Sequence, residues 1–290
     1  MEDGNRTDFA EHHMAVCDGI KGRVLIFHVA SSFVVQSSKR VGIVRAHMKE
    51  TDSDTSKRLD DQVTMPSDVA FNSRGQLFVC FPCLNDIQVF DEEYKYVRSI
   101  GGEFLFPTQI CFTPGGNLVV ADRDMGQVLV LTQDGELVFV IDAPRSNLTL
   151  ERIYPTAVAA GMDGSIYVGD VSGQIRVFDE KGCFVRKIAS KESASFPGVC
   201  SIAVSADNEV FVSMRWCKDI VEFDRNGVKV VGSTSNAILG DVFKERGEDP
   251  FLILGSRVPE IRGLALDSRG RLFACCDYDN DDVHHVKMLV

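Results

Sequence analysis

The sequence predicts an all-β fold, a six-bladed β-propeller. Three observations predict it. A unit of about 40 residues recurs along the chain, as in repeat architectures. Most units open at a proline: Pro66, Pro107, Pro155, Pro197 and Pro259, in steps of 41, 48, 42 and 62 residues. Each unit holds alternating apolar runs split by a glycine turn, the signature of strands joined by hairpins. About 40 residues suits one four-stranded blade, and the longer steps leave room for loops.

The units fall in order. The first, 6–37, is degenerate: strands are expected at Thr7 to Ala10, His13 to Asp18, Arg23 to Phe27 and Phe33 to Val35. A polar insert, 38–65, follows. The second unit, 66–102, turns at Ser73-Arg74-Gly75 and continues through Asp86 to Asp91. The third, 107–143, turns at Pro114-Gly115-Gly116 and again at Gln133-Asp134-Gly135, before the strand Leu137 to Ile141. The fourth, 155–190, turns at Asp163-Gly164 and at Glu180-Lys181-Gly182, before Phe184 to Ile188. The fifth is 197–234, and a second insert spans 235–258. The sixth, 259–290, shows three strands, so the ring would close imperfectly or borrow a strand. All 290 residues read as one domain.

The totals agree with a large all-β core. Hydrophobic residues make up 44% of the chain and charged residues 25%, ordinary globular values. The net charge of −11 repels polyanions and argues against generic nucleic-acid or anionic-membrane binding. No apolar run approaches the ~18 residues of a membrane-spanning helix. Nine cysteines, an odd number without an apolar leader, point to free thiols in a reducing compartment, and cytoplasmic location is expected.

The best units carry Val168-Gly169-Asp170 with Gln174-Ile175-Arg176-Val177-Phe178, and Val120-Ala121-Asp122 with Gln127-Val128-Leu129-Val130. This pattern resembles the NHL repeat, over nearly the whole chain. The resemblance implies a propeller of the kind found at the C-terminus of tripartite-motif ubiquitin ligases. Such propellers select protein substrates or, in several members, bind RNA. The position opening the third strand is Arg23, Asp86, Gln127, Gln174 and Asp219. Only one of these is basic, which argues against the RNA-binding version. The zinc-binding modules of those ligases have no counterpart in the Cys/His spacing of this chain.

Most candidate sites also admit a plain structural role. No histidine lies between Met48 and Val283, so most units lack a base for Ser-His-Asp or Cys-His chemistry. No catalytic, metal or cofactor constellation is expected, and the chain reads as not an enzyme. Cys80-Phe81-Pro82-Cys83 lies in a β context that does not suit a redox motif, and Cys17, Cys111 and Cys200 read as core thiols. Asp18, Asp122 and Asp170 recur at the end of second strands, on one rim. They are expected to accept backbone N–H bonds in the turn rather than hold calcium. The same rim carries Phe81, Leu84, Phe104 and Trp216, with Arg215 and Lys218 flanking Trp216. Phe106, Tyr154 and Phe196 are expected to pack between blades. Exposed aromatics beside arginine are hot-spot chemistry. The expected function is therefore a protein-interaction platform, with substrate recognition in a ubiquitin-ligase assembly implied by the resemblance. An RNA-binding propeller and a metal-dependent propeller hydrolase are the alternatives.

Overall fold

A computed structural model describes residues 9–10, 13–18, 22–28, 40–47, 65–141, 153–188, 198–215, 220–230, 260–267, 269–277 and 285–288. They form antiparallel sheets arranged as a β-propeller. Four sheets have four strands: β1 to β4 (Phe9–Ala10, His13–Asp18, Arg23–His28, Arg40–Arg45), β5 to β8 (Asp68–Phe71, Leu77–Phe81, Asp86–Phe90, Tyr96–Gly101), β9 to β12 (Pro107–Phe112, Leu118–Asp122, Gln127–Leu131, Leu137–Ile141) and β13 to β16 (Pro155–Ala160, Ile166–Asp170, Ile175–Phe178, Phe184–Ile188). Two sheets have three strands among the described residues: β17 to β19 (Val199–Val204, Val210–Met214, Ile220–Phe223) and β20 to β22 (Glu260–Leu266, Leu272–Asp277, His285–Met288). Three strands were expected in the last unit, and the fifth unit too shows three among the described residues.

Local chemistry explains the strands. The hairpin turns carry glycines at positive φ, a region that costs glycine little. Gly75, at φ 77°, closes its turn by donating its N–H to the Asn72 carbonyl at 3.0 Å. The inner strands are buried on both faces, and Pro155–Ala160 is buried at every position. Outer strands are largely open to solvent: Phe184 and Val185 of β16 are exposed while Ile188 at its end is buried.

The fourth strand of the first unit differs from expectation. It is Arg40–Arg45 rather than Phe33 to Val35, which lie outside the described residues. Val44 is the reason. It pairs with Val24 and is buried against Val69 and Phe90 of the next unit. Apolar contact with a neighbouring sheet selects the strand.

The core lies between sheets. One cluster joins the second and third sheets through Phe78, Ile87, Ile110 and Leu129. Others join the third to the fourth through Val119, Val130, Val158 and Ile166, and the fourth to the fifth through Tyr167, Val177, Ile202 and Val212. Met14 and Val16 of the first sheet pack on Ala265 and Phe273 of the last, so the ring closes through side chains. Sheets come closest near the axis. A Cβ on Gly169 would lie 2.6 Å from the Val199 side chain of the next sheet, so only glycine fits there.

Candidate functional site

Register places five inner-strand residues at equivalent heights. Asp68 pairs with Cys80, Gln109 with Ala121, Ala157 with Gly169, Ser201 with Ser213 and Gly263 with Cys275. Three of the five have polar side chains, and each accepts a backbone N–H from another sheet. Ile110 donates to Asp68 Oδ2 at 2.8 Å, Val158 to Gln109 Oε1 at 2.9 Å and Leu264 to Ser201 Oγ at 3.1 Å. Thr156 Oγ1 donates to the Val199 carbonyl at 2.7 Å, and Cys80 Sγ to that of Pro107 at 3.3 Å. The result is a polar belt around the axis. It satisfies backbone groups that apolar packing would leave without partners.

The belt residues Asp68, Gln109, Ser201 and Gly263 line a cavity of about 590 Å³. Its walls come from Met14 to Cys17, Met65 to Val69, Phe106, Thr108 and Gln109, Thr156, Cys200 and Ser201, Arg262 to Ala265, Phe273 and Cys275. Pro82, Cys83, Met65 and Phe106 set its mouth on the rim where second strands end. Cys17, Cys200 and Cys275 are half-buried cavity-wall thiols rather than plain core filler, while Cys111 is fully buried as expected. Burial pushes the Cys80 and Cys111 thiols well above their ordinary range. Among the described residues no cluster of His, Cys, Asp or Glu is placed to hold a metal.

Asp68 stands apart within this lining. Burial pushes its carboxyl up to about 7, against the N–H groups of Ile110 and Val69, which pull it down. It keeps partial exposure toward the cavity it lines.

The rim carboxylates take structural roles. Asp122 is fully buried and accepts the N–H groups of Leu105 at 2.7 Å and of Phe106 and Met125 at 3.0 Å. It thereby fastens the link between the second and third sheets. Asp170 accepts from Ser172 and Gln174 and forms a buried ion pair with Arg176 at 2.5 Å. The side chain of Asp18 lies outside the described residues.

The aromatic rim needs correction. Phe81 is 0% exposed and Phe104 is 6% exposed. Phe81 sits in the apolar cluster between the first and second sheets, and Phe104 in that between the second and third. Buried rings offer a partner no surface. Leu84 is partly buried against the Phe81 cluster. Arg215 is half-buried and its N–H donates to the Gly198 carbonyl at 2.9 Å. Trp216 and Lys218 lie outside the described residues. Among the described residues the rim presents apolar surface at Met65, Leu105, Tyr154 and Val171, 39 to 57% exposed. Tyr154, expected between blades, is among them. Beside them the Arg123 guanidinium lies 4.2 Å over the Phe106 ring. One signal could have found them: Met65 and Tyr154 each directly precede a repeat proline, and Leu105 stands between the buried Phe104 and the half-buried Phe106.

No family model matches the chain, and no curated protein matches it. Solved structures do match, 1209 chains of them, so the likeness marks a widely used fold. One is virginiamycin B lyase from Staphylococcus aureus, at 11% identity and a TM-score of 0.61, covering 99% of this chain and 85% of that one. At that identity the likeness is one of fold, and the fold is the all-β propeller. It also corrects the expectation that the chain is not an enzyme. The matched protein is a lyase, so a propeller matching this chain over nearly its full length carries catalysis.

No helix among the described residues is long and apolar enough to cross a membrane.

Proposed function

We propose that this chain is a six-unit ring of NHL-type repeats that serves as a protein-interaction platform in the cytoplasm, selecting substrates for a ubiquitin-ligase assembly. The observation that carries the binding reading is the exposed apolar set Met65, Leu105, Tyr154 and Val171 on one rim. All four sit where inner strands begin or second strands end, so they share a face. Apolar side chains gathered on one polar-edged face are what partner surfaces use. The net charge of −11 favours a basic partner over a polyanion.

The test uses the chain as bait, with and without ribonuclease, beside the variants Leu105→Asp and Tyr154→Ser. A protein retained by the wild type, indifferent to ribonuclease and lost from both variants supports the reading. Equal retention by all three baits overturns it, and loss on ribonuclease treatment favours RNA.

A further inference from the structure

The axial cavity holds chemistry that the rim reading does not use. Its volume of about 590 Å³ lies in the range of small-molecule sites, which are mostly apolar with a few placed polar groups. Met14, Val16, Leu264 and Phe273 supply apolar wall. The lining includes a single carboxylate, Asp68. Its Oδ2 is taken by the Ile110 N–H, and among the described residues no cation is paired with it.

We propose that the axial cavity is a binding site for a small organic amine, with its ammonium group against Asp68 and its apolar body against the cavity walls. A carboxylate withdrawn from water is costly when ionised and unpaired. An ammonium relieves that cost, and the apolar body gains from leaving water. A neutral ligand of the same shape fills the walls but leaves the carboxylate unmatched. The site's chemistry does not use the protein partner proposed for the rim, although Met65 belongs to both.

The groups around Asp68 define how the site responds to pH. Cys80 of β6 and Cys111 of β9 have thiols pushed up by burial and remain neutral. Asp86 and Asp122 are further carboxylates acting on Cys80. Cys17 of β2 and Cys200 and Cys275 of the last two sheets share the cavity wall, as does Arg262 of β20. Asp68 therefore gains charge as pH rises through neutrality, and ammonium binding tightens with it.

Isothermal titration with phenylbutylamine, and with phenylbutanol as the uncharged counterpart, tests the site. At pH 8 the amine is expected to bind at least about tenfold more tightly than the alcohol, and roughly tenfold more tightly than at pH 6, following the ionised fraction of a carboxyl near 7. Asp68→Asn keeps an oxygen for the Ile110 N–H and should abolish the preference for the amine. Equal binding of amine and alcohol by the wild type, or wild-type affinity for the amine in Asp68→Asn, overturns the proposal. So does a wild type that takes up no amine at millimolar concentration. The comparison of the two probes on the wild type needs no variant to fold.

Discussion

The Ile110 N–H donates to the Asp68 carboxylate at 2.8 Å, from one sheet of the ring to its neighbour. The contact ties backbone to side chain near the axis, where solvent access is limited. Removing the acceptor would leave a shielded donor, a loss of about 1–3 kcal/mol. Asp68→Ala is expected to lower stability by that amount in urea denaturation, and Asp68→Asn by less.

The same carboxyl makes stability depend on pH. Its folded value is raised to about 7 from the ordinary 3.8 of an aspartate. Between those values the native state holds a proton that the unfolded chain has released. Stability therefore falls as pH rises from about 4 to about 7 and levels off above. Measured as wild type minus Asp68→Asn, the difference should decline across that window. A flat or rising difference would show the carboxyl to be already ionised in the fold.

At Gly169 two sheets approach closely. A Cβ there would meet the Val199 side chain at 2.6 Å, and overpacking of this kind costs about 1–3 kcal/mol. Gly169→Ala should lower the melting temperature, while Gly102→Ala tests a different term. Gly102 has open space around it but a φ of 98°, so its cost is backbone strain alone.

Phe104 and Leu105 are adjacent but opposite in exposure, at 6 and 57%. Phe104→Ala should cost about 3–5 kcal/mol, the range for emptying a core ring site. Leu105→Asp should leave thermal stability nearly unchanged and act on partner capture alone. Equal stability losses in the two variants would show that the link as a whole, not the ring, carries the packing.

Asp170 and Arg176 form a buried pair, 5 and 4% exposed. Arg176→Met strands a buried carboxylate and is expected to cost about 3–5 kcal/mol, whereas the double change Asp170→Leu with Arg176→Met should recover much of the loss. Chemical denaturation of the single and double variants measures the difference.

The strands were legible because their signals are local. Leu137–Ile141 and Phe184–Ile188 are where the second turns place them, and Gly75, Gly116, Gly164 and Gly270 all take the positive φ that their turns demand. The fates of Phe81 and Phe104 were not legible. Each is covered by residues of a neighbouring sheet, and no alternation within one strand reports what the next sheet brings to it. The same holds for Val44, which sets the fourth strand of the first unit through a contact outside its own sheet. Asp68 was missed for another reason. It sits inside the repeated Ser-Asp-Val-Ala phrase, where it reads as one more polar turn residue. Its place in the cavity depends on the curvature of the whole ring.

Ala157 occupies the belt position of the fourth sheet but has no side chain able to reach inward. In that space Gln109 Nε2 of the third sheet reaches Ser201 Oγ of the fifth at 3.3 Å. The fourth sheet is spanned by a chord rather than enclosed in an unbroken hoop. A load applied to the third sheet has a direct route to the fifth that bypasses the sheet between them. The small residue at that height thus gives the ring a cross-brace that a larger one would sever.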